Sequence, residues 1–210
     1  MINIAIVGSG PSGCYIADML SKKVADAQVD IFERLPTPYG LVRAGVAPDH
    51  QGTKNIVRQF ERTFTRDNVR FAGNVNIGSD ITYDELKANY DVVALTIGAL
   101  NDRKLGINGE DLEGVYGSGE FVAWYNGHPD QAELSPNLNS TGIAIIGNGN
   151  VALDISRILA KSAKEMDSSD ITAESQAAID ASPVKDIYLI GRRGPVEASF
   201  TNVELSELGD

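Results

Sequence analysis

Residues 4–13 read IAIVGSGPSG, and the fold is decided there. Four apolar residues, Ile4 to Val7, run into Gly8-x-Gly10-x-x-Gly13. Behind the glycines, Ile16, Leu20 and Val24 recur at helical spacing. Val29-Asp30-Ile31-Phe32 forms a second strand-like run that ends at Glu33. Strand, glycine turn, helix and strand make one βαβ unit. Residues 143–152, IAIIGNGNVA, repeat the pattern, and Asp186 to Ile190 supply its second strand before Gly191-Arg192-Arg193-Gly194.

The two loops suit different ligands. In the G-x-G-x-x-G pattern Gly8 makes the tight turn, Gly10 lets backbone approach a pyrophosphate and Gly13 lets helix pack on strand. The helix N-terminus that follows offers free N–H groups and a positive dipole end to the anion. Glu33, 20 residues after Gly13, would accept from ribose hydroxyls and repel a 2′-phosphate, which suits FAD or NAD. Gly147-Asn148-Gly149-Asn150-Val151-Ala152 is the G-x-G-x-x-A variant. Arg192 and Arg193 stand where the acid would be, and two guanidiniums there suit a 2′-phosphate and hence NADP(H). The structural alternatives are an ordinary tight turn for the first loop and solvated turn arginines for the second. Two such sites on one chain imply hydride passing from reduced nicotinamide to a flavin.

Composition narrows the classes further. The 42% hydrophobic and 22% charged content is ordinary for a soluble globular protein. The net charge of −11 lies wholly in residues 106–210, which hold 6 basic and 17 acidic residues. That argues against a nucleic-acid partner, which needs a basic face. No apolar run reaches the roughly 20 residues of a membrane span, and no secretory leader is read. The lone Cys14 cannot form an internal disulfide; a reducing compartment, the cytoplasm, is expected. No metal-ligand spacing is present.

Along the rest of the chain, residues 35–52 read as an ordered Pro/Gly loop and Ile56 to Phe64 as a helix. Asp91 to Thr96 read as a fully buried strand. Residues 119–126 fit either helix or strand. Residues 130–140 read as a linker and 161–183 as a surface insert with helical pieces. Thr201-x-x-Glu204 predicts a capping box opening a helix with Val203, Leu205 and Leu208 on its apolar side. With only two clear strands in the second unit, a cut chain or one needing a partner segment is expected. Cys14 reads as a small buried residue. Trp124 and Tyr125 read as packing residues at a domain junction, with stacking on a cofactor the alternative. Thr96-Ile97-Gly98-Ala99 ends a strand at the sheet edge where ligands bind, so Gly98 is a candidate backbone contact.

LPTPYGLVRAGVAPDH (35–50), FVAWYNGHP (121–129), GNGNVALDISRIL (147–159) and GRRGPVEASFT (191–201) carry a further likeness. With these segments the chain resembles the adrenodoxin-reductase-type ferredoxin–NADP reductases. The resemblance implies an α/β protein of two Rossmann-like dinucleotide-binding units with parallel sheets, both incomplete. Residues 1–105 would be the N-terminal part of the FAD domain and 106–210 that of the NADP(H) domain. It implies a flavoenzyme that takes hydride from NADPH onto FAD and hands single electrons to a ferredoxin-type iron–sulfur protein. By the same resemblance Ser12 and Glu33 hold the adenosine half of FAD, and Leu41 and Ile77 make further FAD contacts. Asn148 to Val151 form the NADP pyrophosphate loop, Arg192 and Arg193 the 2′-phosphate clamp, and Glu204 another NADP contact. His50 and Glu207 match a pair near the flavin–nicotinamide contact; on the sequence alone, a structural loop histidine is an equal reading of His50. Members of the family run to about twice this length, so a dinucleotide-binding fragment without turnover, or an electron-input subunit, is the competing reading. A pyridine-nucleotide disulfide reductase would need a cysteine pair, which one cysteine cannot supply.

Overall fold

The computed structural model describes residues 1–99, 101–192 and 194–209, without the side chain of Pro195. The chain divides into two compact units, residues 1–46 with 51–100, and residues 47–50 with 101–210.

In the first unit, β1 (Ile2–Val7), α1 (Pro11–Lys23) and β2 (Ala27–Phe32) form the βαβ element. It continues with α2 (Leu41–Ala44), α3 (Gln51–Lys54), α4 (Val57–Phe64), β3 (Val69–Ala72), α5 (Tyr83–Asn89) and β4 (Val92–Leu95). The four strands form one parallel sheet in the order β3-β2-β1-β4. Because side chains alternate across a strand, Ile4 and Ile6 pack with Ala17, Val29 and Ile31 on one face. Ala5 and Val7 pack with Phe32 and Leu86 on the other. Burial on both faces is why β1 reads as an unbroken apolar run.

Two features of this unit depart from the sequence reading. The loop over 35–52 contains single-turn helices, α2 and the start of α3. The strand at 92–95 is not fully buried: Val92 is 47% and Leu95 56% exposed. It is an edge strand, paired with β1 alone among the described residues. Ile77, between β3 and α5, is half-buried and packs on the Ala5–Val7 face.

The second unit contains α6 (Ser118–Tyr125), β5 (Gly142–Ile146), α7 (Asn150–Ala160), α8 (Ala173–Asp180), β6 (Asp186–Ile190) and α9 (Asn202–Ser206). Residues 118–125 are therefore helix, and Trp124 and Tyr125 lie in this unit's own core with Phe121, Ile145, Ile158, Met166 and Ile179. β5 and β6 form a parallel two-stranded sheet. A sheet that small depends on helices for stability. Among the described residues only one face is covered: Ile145 is buried, whereas Ile146, Tyr188 and Ile190 are exposed.

The segment 130–140 belongs inside this unit rather than between domains. Leu138 is buried in its core, and its carbonyl accepts from Ser182 Oγ at 2.7 Å. The insert over 161–183 also contributes core residues, Met166 and Ile179. At α9 the capping box is half made. Thr201 Oγ1 accepts from Glu204 N at 3.3 Å, but the Glu204 carboxylate turns instead toward Arg157 and His50. Val203, Leu205 and Leu208 are exposed, so α9 has no buried apolar stripe among these residues.

Candidate functional site

The glycine loop of the first unit is built by contacts that a side chain would obstruct. Gly8 adopts φ +100, in the region favouring glycine, and a Cβ there would strike the Thr96 carbonyl. A Cβ on Gly13 would collide with the Gly8 carbonyl, so α1 approaches β1 as closely as its backbone allows. Gly10 is different: its nearest neighbour, Gly40 Cα, is 3.9 Å from an added Cβ. The loop beside Gly10 is open, which is what close approach of a pyrophosphate requires. α1 begins with Pro11, has no acidic residue in its first turn and no side-chain cap, so its N-terminal dipole is unopposed.

Glu33 ties the second strand to this loop. Its Oε2 accepts from Ser9 N at 2.9 Å and Ser9 Oγ at 2.7 Å, and its Oε1 accepts from Leu35 N at 3.1 Å. A carboxylate has about four acceptor sites, so capacity for one further donor remains. Ser9, fully buried, is the residue the motif hid as an "x"; its carbonyl also accepts from Tyr39 N at 3.0 Å and Cys14 Sγ at 3.2 Å. Burial, then the Glu33 charge, pushes the Cys14 thiol up to about 12, so it stays protonated. Ser12 and Leu41 are exposed. Gly98, two residues beyond Thr96, has φ +71 and open space where a side chain would stand.

The second loop is less tightly closed. Gly147 (φ +144) and Ala152 are further apart, with 3.9 Å between an added Cβ and that of Ala152; hence alanine is tolerated at the last motif position. Gly149 precedes α7, which again lacks first-turn acids and a side-chain cap. The chain after β6 folds back on this loop. Asn148 O accepts from Ser199 N at 2.9 Å and Phe200 N at 3.1 Å, and Asn150 Oδ1 accepts from Thr201 N at 2.9 Å. The Asn148 amide lies against Gly191, where any Cβ would collide with it. Arg192, next in the chain, is exposed, as is Val151; Arg193 lies outside the described residues.

His50, Glu204 and Glu207 come together in the second unit around Arg157, which is 2% exposed. Arg157 donates to both Asp49 oxygens, from Nε at 2.8 Å and Nη2 at 3.0 Å, and from Nη2 to Asp154 Oδ1 at 2.8 Å. His50 Nε2 is 2.7 Å from Glu207 Oε2. Glu204 Oε2 is 3.7 Å from Arg157 Nη1 and 3.9 Å from His50 Nε2. Burial pushes the Asp49 carboxyl up, but hydrogen bonds from Arg157 and Lys161 outweigh it and bring the value down to about 2. Glu204 is raised, first by burial and then by Asp154. Asp49, Asp154 and Arg157 were not singled out from the sequence, although one signal was there. Arg157 follows Leu153 by one helical turn on the apolar face of α7, where a charge survives only with partners.

Comparison with known proteins fits this geometry. The family model for an NAD(P)-binding Rossmann-like domain matches residues 6–65. The chain is 50% identical over 208 residues to the mitochondrial NADPH:adrenodoxin oxidoreductase of Arabidopsis thaliana, covering 99% of this chain and 43% of that protein. It is 45% identical over 212 residues to the NADPH-ferredoxin reductase FprA of Mycobacterium tuberculosis, covering 99% of this chain and 46% of that one. The solved structure of M. tuberculosis FprA in complex with NADPH superposes with a TM-score of 0.96 at 44% identity, over 100% of this chain and 47% of that chain. The chain thus spans under half the length of these relatives. Among the described residues no helix is long and apolar enough to cross a membrane. By sequence and fold, the chain is similar over its whole length to the N-terminal part of the adrenodoxin-reductase/FprA-type NADPH–ferredoxin reductases.

Proposed function

We propose that this protein is the nucleotide-binding portion of an NADPH-dependent flavoprotein reductase, with FAD held by residues 1–105 and NADP(H) by residues 106–210. One observation carries the reading: two βαβ elements of the same design end in opposite charges, Glu33 after β2 and Arg192 after β6. The names of its relatives, an NADPH:adrenodoxin oxidoreductase and an NADPH-ferredoxin reductase, support the direction and the iron–sulfur acceptor. When bound, the two nucleotides supply hydride and single-electron chemistry that side chains cannot.

The chain's own residues bind and orient. Gly8, Gly10 and Gly13 open a path to the N-terminus of α1, Ser12 presents its hydroxyl there, and Glu33 offers its remaining acceptor capacity to a ribose hydroxyl. Leu41, Ile77 and Gly98 are assigned as further FAD contacts. Gly147 to Val151 present the N-terminus of α7 to the second pyrophosphate, and Arg192 and Arg193 take the 2′-phosphate. Glu204 is assigned as a further NADP contact and His50 with Glu207 as the pair that tunes hydride transfer. The test is nucleotide titration of Arg192→Ala/Arg193→Ala. Loss of charge-assisted bonds predicts about 10- to 100-fold weaker NADPH binding with NADH little changed; equal losses for both nucleotides would exclude the 2′-phosphate role.

A further inference from the structure

One imidazole nitrogen in the second unit faces two side chains that cannot both satisfy it. His50 Nε2 is 2.7 Å from Glu207 Oε2 and 2.7 Å from Arg157 Nη2. Facing an ionised carboxylate the nitrogen must carry a hydrogen, because the carboxylate only accepts. Facing a guanidinium it must offer its lone pair, because the guanidinium only donates.

The hydrogen count on Arg157 decides between them. Nη2 carries two hydrogens, and two carboxylate oxygens claim them, Asp49 Oδ1 at 3.0 Å and Asp154 Oδ1 at 2.8 Å. With the ring at 2.7 Å, three partners compete for two hydrogens, and the ionised carboxylates are the stronger acceptors. Nη1 stands 3.1 Å from Glu207 Oε2 without hydrogen-bond geometry, so its charge alone favours that carboxylate beside the imidazole. The charged groups around His50 are Asp49, Asp154, Arg157, Glu204 and Glu207, with Lys161 on Asp49 at 3.1 Å. Four carboxylates against two cations leave surplus negative charge, which favours a hydrogen rather than a lone pair pointing into the cluster.

We propose that Arg157 is a positioning residue for His50: with its Nη2 hydrogens committed to Asp49 and Asp154, it holds the neutral ring as the tautomer with hydrogen on Nε2, aimed at Glu207. The inference deepens the assignment of His50 and Glu207 but is measured without nucleotide, so either can fail alone. The probe is the pair of His50 ring nitrogens in two-bond 1H–15N correlation spectra, taken at a pH where the ring is neutral. His128 is the other of the two histidines, and His128→Gln isolates the His50 signals. The unprotonated-type nitrogen shift is expected on Nδ1 in the unaltered site. Asp154→Ala frees one Nη2 hydrogen for the ring and is expected to move that shift to Nε2. A His50 ring with its hydrogen on Nδ1 before any change at Asp154 overturns the proposal outright. A folded Asp154→Ala protein whose tautomer is unmoved overturns the part given to Arg157.

Discussion

Gly10 and Gly13 look equivalent in a motif and are not equivalent in space. A Cβ on Gly13 would meet the Gly8 carbonyl, whereas one on Gly10 meets only ordinary contact with Gly40. Gly13→Ala is therefore expected to destabilise the first unit by about 1–3 kcal/mol, read as a lower denaturation midpoint. Gly10→Ala should leave that midpoint within about 0.5 kcal/mol and weaken FAD binding instead; the opposite pattern would mean the open space beside Gly10 is not where the pyrophosphate runs. Asp49 gives a pH dependence with a definite sign. Its carboxyl falls from 3.8 to about 2 on folding, so the stabilisation is complete above about pH 4 and is lost as pH falls toward 2, roughly 2 kcal/mol in all. Acid unfolding followed by the single tryptophan, Trp124 in the core of the same unit, should shift to higher pH as that pairing is lost. Asp49→Asn should abolish this part of the acid sensitivity. The glycines were legible in the sequence because their constraint is local backbone geometry. The Asp49–Arg157 pair was not, because its partners are 108 positions apart and nothing in a single sequence brings them together.

Secondary elements were legible in proportion to how much of their stability is local. β1 follows from an unbroken apolar run, since the sheet buries both its faces, and α1 from the helical spacing of Ile16, Leu20 and Val24. α6 was ambiguous because Phe121, Val122, Trp124 and Tyr125 are all buried, which erases the contrast between faces that periodicity depends on. β4 misled in the other direction: an apolar run implies burial on both faces but does not reveal that the strand lies at an edge. α9, five residues long, is too short to persist alone. It is held by the Thr201 cap and by the bond from Thr201 N to Asn150 Oδ1. Thr201→Ala is expected to cost about 1 kcal/mol locally. Amide exchange at Glu204, Leu205 and Glu207 should accelerate while β5 and β6 stay protected. Uniform acceleration across the unit would show that α9 is not a separately opening element.

At the scale of the molecule, the chain carries the same supersecondary design twice, with opposite charge in the sequence after the second strand of each copy. The acidic excess of residues 106–210 sits in the part of the sequence that holds Arg192 and Arg193, so on the proposed assignment the two arginines must outweigh a negative background that repels a phosphate. The chain matches under half the length of its relatives, and what the two units do by themselves is therefore a matter for direct measurement. The most direct one is the visible absorption spectrum of the purified chain after addition of FAD, followed anaerobically through titration with NADPH and, separately, NADH. Assignment of FAD to the Gly8 loop and NADPH to the Gly147 loop predicts a protein-bound flavin spectrum that bleaches with NADPH at far lower concentrations than with NADH. A chain that retains no flavin, or one bleached equally by both nucleotides, would contradict it.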